Sequence, residues 1–241
     1  MKESPHPPGW NPLTHPLSPH PLVISLLRAA PELMPDLEPV RLEVGPWSEQ
    51  HLGGGNFLYF PEDALLGVSA QLKPHGLTHG VRLSWLGCRS VWSPEQALAS
   101  GLQAQVLVAG GAFRLPEAAL HAVGKPLAPW RLQLAASSQQ LITQMAQVSF
   151  CARHHTAEQS LASWLLMAWY NSPGHALQMP VASLQAGFGF APDAWQRAWQ
   201  TLHNQGAVAL ADQGTLAEIT PHLLAPLTGV ACACYQKLQA H

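Results

Sequence analysis

The stretch PVASLQAGFGFAPDAWQRAWQTLHN, residues 180–204, has the pattern of two helices joined by a glycine-rich turn. A short helix is predicted over about 180–187 and a second over 192–205. Pro192 suits the first helical position of the second helix, where a missing N–H costs nothing. Two helices separated at this distance by a turn (Gly187-Phe188-Gly189-Phe190) predict a helix-turn-helix.

The second helix has two different faces. Trp195, Trp199 and Leu202 recur at helical spacing and predict a buried face. The polar residues on another face are the candidate DNA-binding residues, because Gln and Asn pair with adenine and Arg with guanine. They are Gln196, Arg197, Gln200 and Asn204. The alternative for these four is an ordinary solvated helix face.

The residues that follow the second helix predict a β-hairpin, or wing. Ala207–Leu210 and Leu216–Ile219 are short apolar runs, and Asp212-Gln213-Gly214 between them is typical of a turn. Upstream, residues 156–171 predict a helix that ends at Ser172-Pro173-Gly174. The carboxyl-terminal part therefore reads as a winged helix-turn-helix.

A longer helix is predicted from about 128 to 150. Leu127, Leu134, Leu141 and Val148 are seven residues apart, and this heptad spacing predicts a homodimer seam. On this hypothesis a Leu141→Lys substitution breaks the dimer. The alternative is a helix that packs on the core of its own domain. The predicted dimer-interface residues are Leu134, Leu141, Met145 and Val148.

Upstream of the long helix, short alternating segments between about 37 and 115 predict a compact antiparallel roll. The predicted fold class is therefore α+β, with an N-terminal antiparallel β-roll, a long dimerisation helix and a C-terminal winged helix-turn-helix. Residues 1–21 hold seven prolines and three histidines and predict an extended arm. The predicted domains are the arm 1–21, the roll 22–127, the helix 128–150 and the DNA-binding domain 151–241.

Composition limits the function classes. The chain has 241 residues, of which 47% are hydrophobic and only 11% charged, and its formal net charge is −2. A strongly basic nucleic-acid coat protein is excluded, and the apolar content argues against disorder throughout. No apolar run approaches the roughly 20 residues of a membrane span. Four cysteines make no disulfide framework, so a cytoplasmic location is expected.

Residues 151–168, CARHHTAEQSLASWLLMA, resemble a segment at the domain junction of a bacterial branch of the Crp/Fnr transcription regulators. That segment typically reads Cys-Asn-x-His-His-x-x-Glu-Gln-Arg-Leu-x-x-Trp-Leu-Leu-Met. Weaker resemblances follow in the same order as in that family, at Phe57–Glu62, Gly110–Leu115 and Ala231–Tyr235. Together they cover roughly residues 22–236.

The resemblance implies a cyclic-nucleotide-binding-like β-roll and a dimer that binds double-stranded DNA at a palindrome, with an effector setting the affinity. One departure concerns that effector. The stretch Leu86–Trp92 lacks the family's Gly-Glu pair and its Pro-Arg-x-Ala, so no cyclic nucleotide is expected. Weak candidates for binding another small molecule are Trp85, Arg89 and Trp92. The first cysteine is Cys88, so the family's N-terminal iron–sulfur cluster is also not expected.

A second departure concerns the DNA-reading helix. The branch usually has Gly-Val-Arg-Arg at the turn, whereas this chain has Gly189-Phe190-Ala191-Pro192. Residues 151–241 contain three Lys and Arg residues against four Asp and Glu residues, which predicts little counterion release on DNA. The main hypothesis is a DNA-binding regulator. The alternative is a degenerate relative that has lost DNA binding and acts through protein contact or dimer formation.

The remaining motifs favour neither a metal nor an enzyme. His154-His155 with Glu158 has a spacing that could bind a metal, but hydrogen bonding at a domain junction is the preferred interpretation. Cys232 and Cys234 are too close for a zinc knuckle. No nucleophile elbow, phosphate-binding loop or zinc-protease motif occurs. The expectation is a protein that is not an enzyme and that has no cofactor.

Overall fold

The computed structural model describes residues 20–49, 55–72, 79–123, 127–172, 177, 179–186, 190–210 and 215–228. The chain divides into two compact units, the first made of residues 1–66 and 86–140 and the second of residues 67–85 and 141–241. The four sequence-predicted domains stay a prediction. Except for His20 and Pro21, the predicted arm lies outside the described residues.

Short antiparallel strands precede the long helix, as the alternation predicts. One sheet has the order β1-β7-β3 and the other the order β2-β6-β4-β5. In the first sheet, Arg114 lies opposite both Glu38 and Tyr59. The strands are β1 (Glu38–Leu42), β2 (Gly45–Pro46), β3 (Phe57–Pro61), β4 (Leu65–Leu72), β5 (His79–Leu86), β6 (Leu102–Val108) and β7 (Gly110–Pro116).

Helices cover one face of the β1-β7-β3 sheet. Leu58, Phe60, Phe113 and Leu115 alternate along β3 and β7 and join one core cluster with the helical residues. Trp130 closes this core, and its indole Nε1 donates to the carbonyl of Leu22 at 2.9 Å. The helices of this part are α1 (Pro21–Ala29), a 3₁₀ segment (Pro31–Asp36), α2 (Pro94–Ala99) and α3 (Glu117–Val123).

The long helix predicted over 128–150 is α4 (Ala128–Cys151). The next helix, α5 (Ala157–Asn171), begins with a capping box in which Thr156 accepts from the Gln159 amide and Gln159 accepts from the Thr156 amide. A Ser or Thr cap of this kind is worth about 1 kcal/mol. This cap fixes where α5 starts, directly after the histidine pair.

The C-terminal elements confirm the predicted winged helix-turn-helix. The two helices are α6 (Val181–Ala186) and α7 (Pro192–Asn204), and a three-stranded sheet of order β8-β10-β9 accompanies them. The glycines of the predicted turn lie outside the described residues. The remaining elements are β8 (Met179–Pro180), β9 (Val208–Leu210), β10 (Thr215–Ile219), α8 (Pro221–Leu224) and a 3₁₀ segment (Ala225–Thr228).

Gly110, the first residue of β7, has no room for a side chain. A Cβ there would lie 2.5 Å from both the Ala64 backbone nitrogen and Asp63 Oδ1. Asp63 Oδ1 also accepts from the Gly111 amide, and the Glu62 amide donates to the Gly111 carbonyl at 2.9 Å. The close approach therefore couples the β3–β4 turn to the start of β7.

Gly110→Ala is expected to lower the free energy of unfolding by about 1–3 kcal/mol, because the new methyl group meets backbone atoms that cannot rotate away. Gly111→Ala is the matched control, since its Cβ would lie 3.3 Å from the nearest atom and that atom is a side-chain oxygen. Urea denaturation of both variants checks this. Equal destabilisation by the two would contradict the packing argument.

His20 is the buried cap of α1. Its Nδ1 accepts from the Leu22 amide at 3.3 Å and its Nε2 donates to the Ser90 carbonyl at 2.7 Å. Burial lowers the pKa of His20 to about 4, although the bond to Ser90 opposes this. In the same unit, burial raises the pKa of the Glu62 carboxyl to about 7, and the negative charge of Asp63 makes a smaller contribution in the same direction. The fold therefore favours a neutral imidazole and a protonated carboxyl.

These two groups are expected to give opposite pH dependences of stability. The unfolded chain binds more protons than the fold at His20, so the stability linked to His20 is complete above pH 6.5 and is lost toward pH 4. The full pKa difference corresponds to roughly 3 kcal/mol. At Glu62 the fold binds more protons, so stability falls as pH rises from 4.5 to about 7. The more exposed Glu62 contributes less.

Unfolding free energies measured between pH 4.5 and 6.5 separate the two effects. Glu62→Gln is expected to lose stability on acidification more steeply than the wild type, since only the His20 effect remains. His20→Gln is expected to reverse the slope, so that stability increases toward acid. Parallel curves for all three proteins would refute both assignments.

Candidate nucleic-acid interface

Helix α7 has a packed side and an exposed side. Trp195, Ala198 and Leu202 are buried, and α7 packs against α5 within the second unit. Trp199 stacks on Trp195 with ring centroids 5.8 Å apart. The predicted apolar face is therefore confirmed, and it holds α7 by one side only.

All four predicted DNA-binding residues lie on the exposed side. Gln196, Arg197, Gln200 and Asn204 are exposed, and Gln200 Nε2 donates to Asn204 Oδ1 at 2.7 Å. This bond leaves the Gln200 carbonyl oxygen and the Asn204 amino group directed to other partners. The face presents both donors and acceptors within three turns.

Asp193 extends this face by one turn. From the sequence alone it is only one of the four acidic residues whose charge opposes DNA binding. It is exposed and lies four residues before Arg197, and hence on the same side of the helix. A carboxylate there can accept from the amino group of cytosine. The spacing of four residues between Asp193 and Arg197 is the sequence feature that could have placed both side chains on one face. The first turn of α7 also has no side-chain cap, so its free amides can meet an anion.

The preceding helix and the wing are joined through one small sheet. Helix α6 follows β8 directly, and β8 pairs with β10 through Thr215 opposite Pro180 and Leu216 opposite Met179. Strand β10 pairs in turn with β9. The tip of the wing lies outside the described residues. Among the described residues from 151 onward, Arg153 and Arg197 are the basic ones, so few phosphates can be neutralised.

The four predicted seam residues of α4 are buried or half-buried within the single chain. Leu134 packs against the core, Val148 is buried, and Leu141 and Met145 are half-buried. The heptad pattern therefore marks a face that the chain covers with its own residues. The dimer seam built on these residues stays a prediction that no partner chain tests.

Three further apolar side chains of α4 lie outside this face: at about 3.6 residues per turn, Leu132 and Phe150 are opposite it and Ile142 is about a quarter turn away. Leu132, Ile142 and Phe150 are 73%, 58% and 61% exposed. Exposed small or polar residues fill the positions between them, and these are Ala135, Ala136, Gln139, Thr143 and Ala146. We call these eight residues the outer stripe of α4. Large apolar side chains that are exposed on one broad side of a helix indicate an interaction surface.

The three weak effector candidates have different surroundings. Trp85 is buried in the second unit, where it meets Trp164 edge-on with centroids 5.4 Å apart. Arg89 is exposed, and Trp92 is buried against Tyr59. Burial raises the pKa of the nearby Cys88 thiol, which opposes thiolate chemistry.

The histidine pair has a contact that suits a structural role. The exposed His154 ring lies 4.7 Å from that of Phe150, and no cluster of three or more His, Cys, Asp or Glu side chains that could hold a metal occurs in the described part of the chain. The cysteines at 232 and 234 lie outside it. No helix in the described ranges is long and apolar enough to cross a membrane.

Comparison with known proteins places this fold. No family model matches the sequence, and no curated protein matches it. Many solved structures do match. FixK2 from Bradyrhizobium japonicum has a TM-score of 0.59 at 12% identity, covering 81% of this chain and 98% of that one.

Two proteins from Thermus thermophilus are similar as well. TTHB099, a transcriptional regulator of the CRP family, has a TM-score of 0.55 at 13% identity over 81% of this chain and 99% of its own. TTHA1359, a transcriptional regulator of the CRP/FNR family, has a TM-score of 0.54 at 14% identity over 79% and 98%. At these identities the likeness establishes the fold, and it is the fold that the sequence resemblance implied.

Proposed function

We propose that this chain, which has the fold of the Crp/Fnr regulators, is a homodimeric transcription regulator that binds specific double-stranded DNA. The observation that carries the proposal is α7: its apolar side is packed on α5, and Gln196, Arg197, Gln200 and Asn204 stand on its exposed side. A helix held in this way can enter a major groove without rearrangement.

Hydrogen bonds to base edges supply the specificity in this proposal. Arg197 suits guanine O6 and N7, and the Gln and Asn side chains suit adenine N6 and N7. Asp193 adds an acceptor for cytosine. The bond between Gln200 and Asn204 fixes the direction of both amides before DNA arrives, which lowers the entropy lost on binding.

Phosphate contacts contribute little to affinity here. Residues 151–241 include only three Lys and Arg residues, so a dimer can neutralise about six phosphates at most through them. The uncapped amides of α7 add little, because the Asp193 carboxylate in the same turn repels a phosphate. The proposed regulator therefore depends on base contacts more than a basic regulator does.

Dimerisation brings two copies of α7 to two half-sites. The outer stripe of α4 is the surface proposed for this contact, since Leu132, Ile142 and Phe150 are largely uncovered by their own chain. A seam made of Leu134, Leu141, Met145 and Val148 remains the alternative surface for the contact, although these residues are already buried or half-buried in the single chain. Two-fold symmetry then predicts a palindromic operator.

Selection from pooled random duplexes tests the proposal. The purified full chain is expected to enrich a sequence with two-fold symmetry, and a variant carrying both Gln196→Ala and Gln200→Ala is expected to enrich none. The regulator makes no use of a cyclic nucleotide, so added cyclic AMP is expected to leave the enrichment unchanged. If a folded dimer enriches no sequence at low salt, the alternative of protein contact without DNA binding is favoured.

A further inference from the structure

Four side chains form one row across the β1-β7-β3 sheet and the segment beside it. Glu38 lies opposite Arg114 and Arg114 lies opposite Tyr59, while Tyr59 and Trp92 exchange two backbone hydrogen bonds of 2.8 Å. Residues directly opposite each other in an antiparallel pairing point to the same side. Glu38, Arg114, Tyr59 and Trp92 are therefore neighbours, and we call them the Tyr59 row.

The Tyr59 row is on the face of the sheet that the helices do not cover. The alternate residues Leu58, Phe60, Phe113 and Leu115 belong to the helix-packed core, so the row points the other way. Two aromatic side chains border it. Trp47 stands edge-on to Tyr59 at 4.8 Å and to Trp92 at 6.1 Å, and the Arg114 guanidinium lies 4.4 Å from the Phe57 ring centre.

The row has more hydrogen-bond donors than acceptors. Arg114 Nε and Nη2 both donate to Glu38 Oε2, at 2.9 Å and 2.6 Å. Arg114 Nη1 and Trp92 Nε1 are also buried, and neither has a hydrogen-bond partner. A buried donor without a partner is unfavourable, and an acceptor supplied by water or by a bound molecule relieves this.

We propose that the Tyr59 row is a binding site for a small organic carboxylate with an aromatic or apolar body. Its carboxylate accepts from Arg114 Nη1 and Trp92 Nε1, one from each side of Tyr59. Its body lies against Trp47 and Phe57. A cation does not fit, because it would leave both donors without an acceptor. All residues of the site belong to the first unit, so binding to it can be measured without DNA.

The chemistry of Tyr59 is consistent with an anionic ligand. Burial raises the pKa of the Tyr59 hydroxyl more than its hydrogen bond with Arg114 and the Arg114 charge lower it. The phenol is therefore neutral at physiological pH and does not repel a carboxylate.

Benzoate is the probe for this site, and the nine tryptophan indole N–H signals of the full-length protein are the readout. The Trp92 signal is identified by its disappearance in Trp92→Phe. It is expected to move downfield saturably with benzoate up to about 10 mM, a range that detects millimolar affinities. Benzyl alcohol, which has the same ring without the charge, is expected to give no saturable shift.

Substitutions decide whether the two donors hold the carboxylate. Trp92→Phe keeps a ring and removes the N–H, and it is expected to weaken benzoate binding about 10-fold. Because this variant has lost the Trp92 signal, its affinity is read from the indole signal of Trp47, which borders the row. Arg114→Gln is expected to weaken it at least as much. Arg41→Gln is the matched control, since Arg41 pairs with Glu43 in a largely exposed ion pair, and it is expected to leave benzoate binding unchanged.

Three results would overturn the proposal. They are the absence of a saturable shift of the Trp92 signal, equal affinity in the wild type and Trp92→Phe, and equal shifts with benzyl alcohol. Each of them would leave water as the partner of the two donors. Should Arg114→Gln fail to fold, as its amide spectrum would show, Trp92→Phe alone decides the outcome.

Discussion

Ile142→Glu is expected to convert the dimer into monomers and to lower the affinity for the selected duplex about 1,000-fold, to the level of non-specific binding. Ile142 is 58% exposed on the outer stripe of α4. In a two-fold symmetric seam the new carboxylate would be buried near its own symmetry copy, where both desolvation and like-charge repulsion oppose association. Sedimentation and fluorescence anisotropy measure the two effects.

Two neighbouring substitutions serve as controls. Gln140→Glu adds the same charge at an exposed position of α4 outside the outer stripe, and it is expected to leave the dimer intact. Leu141→Lys lies on the packed side, so it is expected to reduce the unfolding free energy as its main effect. A dimer that survives Ile142→Glu would contradict the outer-stripe assignment and favour the heptad seam.

Arg197→Ala is expected to reduce affinity for the selected duplex at least 30-fold and to relax the base preference at one position of each half-site. A bidentate Arg contact to guanine contributes about 1–3 kcal/mol, and a dimer loses it twice. Arg197→Lys is expected to restore little, because an ammonium group lacks the planar fork. Titrations against the selected duplex and single-base variants measure both effects.

Arg153→Ala is the control for charge alone. Arg153 is exposed and lies before α5, outside the α7 face, so its loss is expected to weaken binding to all duplexes alike. The fold of Arg197→Ala should be unaffected, since the side chain is exposed on the outer side of α7. Unchanged selectivity in Arg197→Ala would show that α7 does not read bases.

The local pattern of the sequence was sufficient to predict the winged helix-turn-helix. Pro192 marks the start of α7, and the periodic Trp195, Trp199 and Leu202 mark its packed side. All four residues lie within one short segment of the sequence. Capping and amphipathicity are short-range effects, so they can be read from one segment. The α5 start at the Thr156 capping box is a further example.

The partner of an apolar face could not be predicted. The heptad of Leu134, Leu141 and Val148 gave the apolar side of α4, but the same spacing describes packing on another chain and packing on the chain's own core. The residues of the outer stripe are mostly alanine and polar, and they carry little hydrophobic signal in sequence. Burial in the folded chain is what distinguishes the two faces.

The Tyr59 row could not be predicted from the local sequence either. Its members come from positions 38, 59, 92 and 114, and they become neighbours through strand register. Register is a long-range property that depends on the whole roll. Sequence reasoning selected Trp92 because of its position near the expected effector region, without a signal for Glu38, Tyr59 or Arg114.

The most direct test of the central claim is the affinity of the intact dimer for its selected duplex as a function of salt, beside a duplex of scrambled sequence. We expect a clear preference for the selected duplex and a slope of log K against log salt no steeper than about −5, because a dimer can neutralise about six phosphates at most. Equal affinity for both duplexes at every salt concentration would contradict sequence-specific reading by α7.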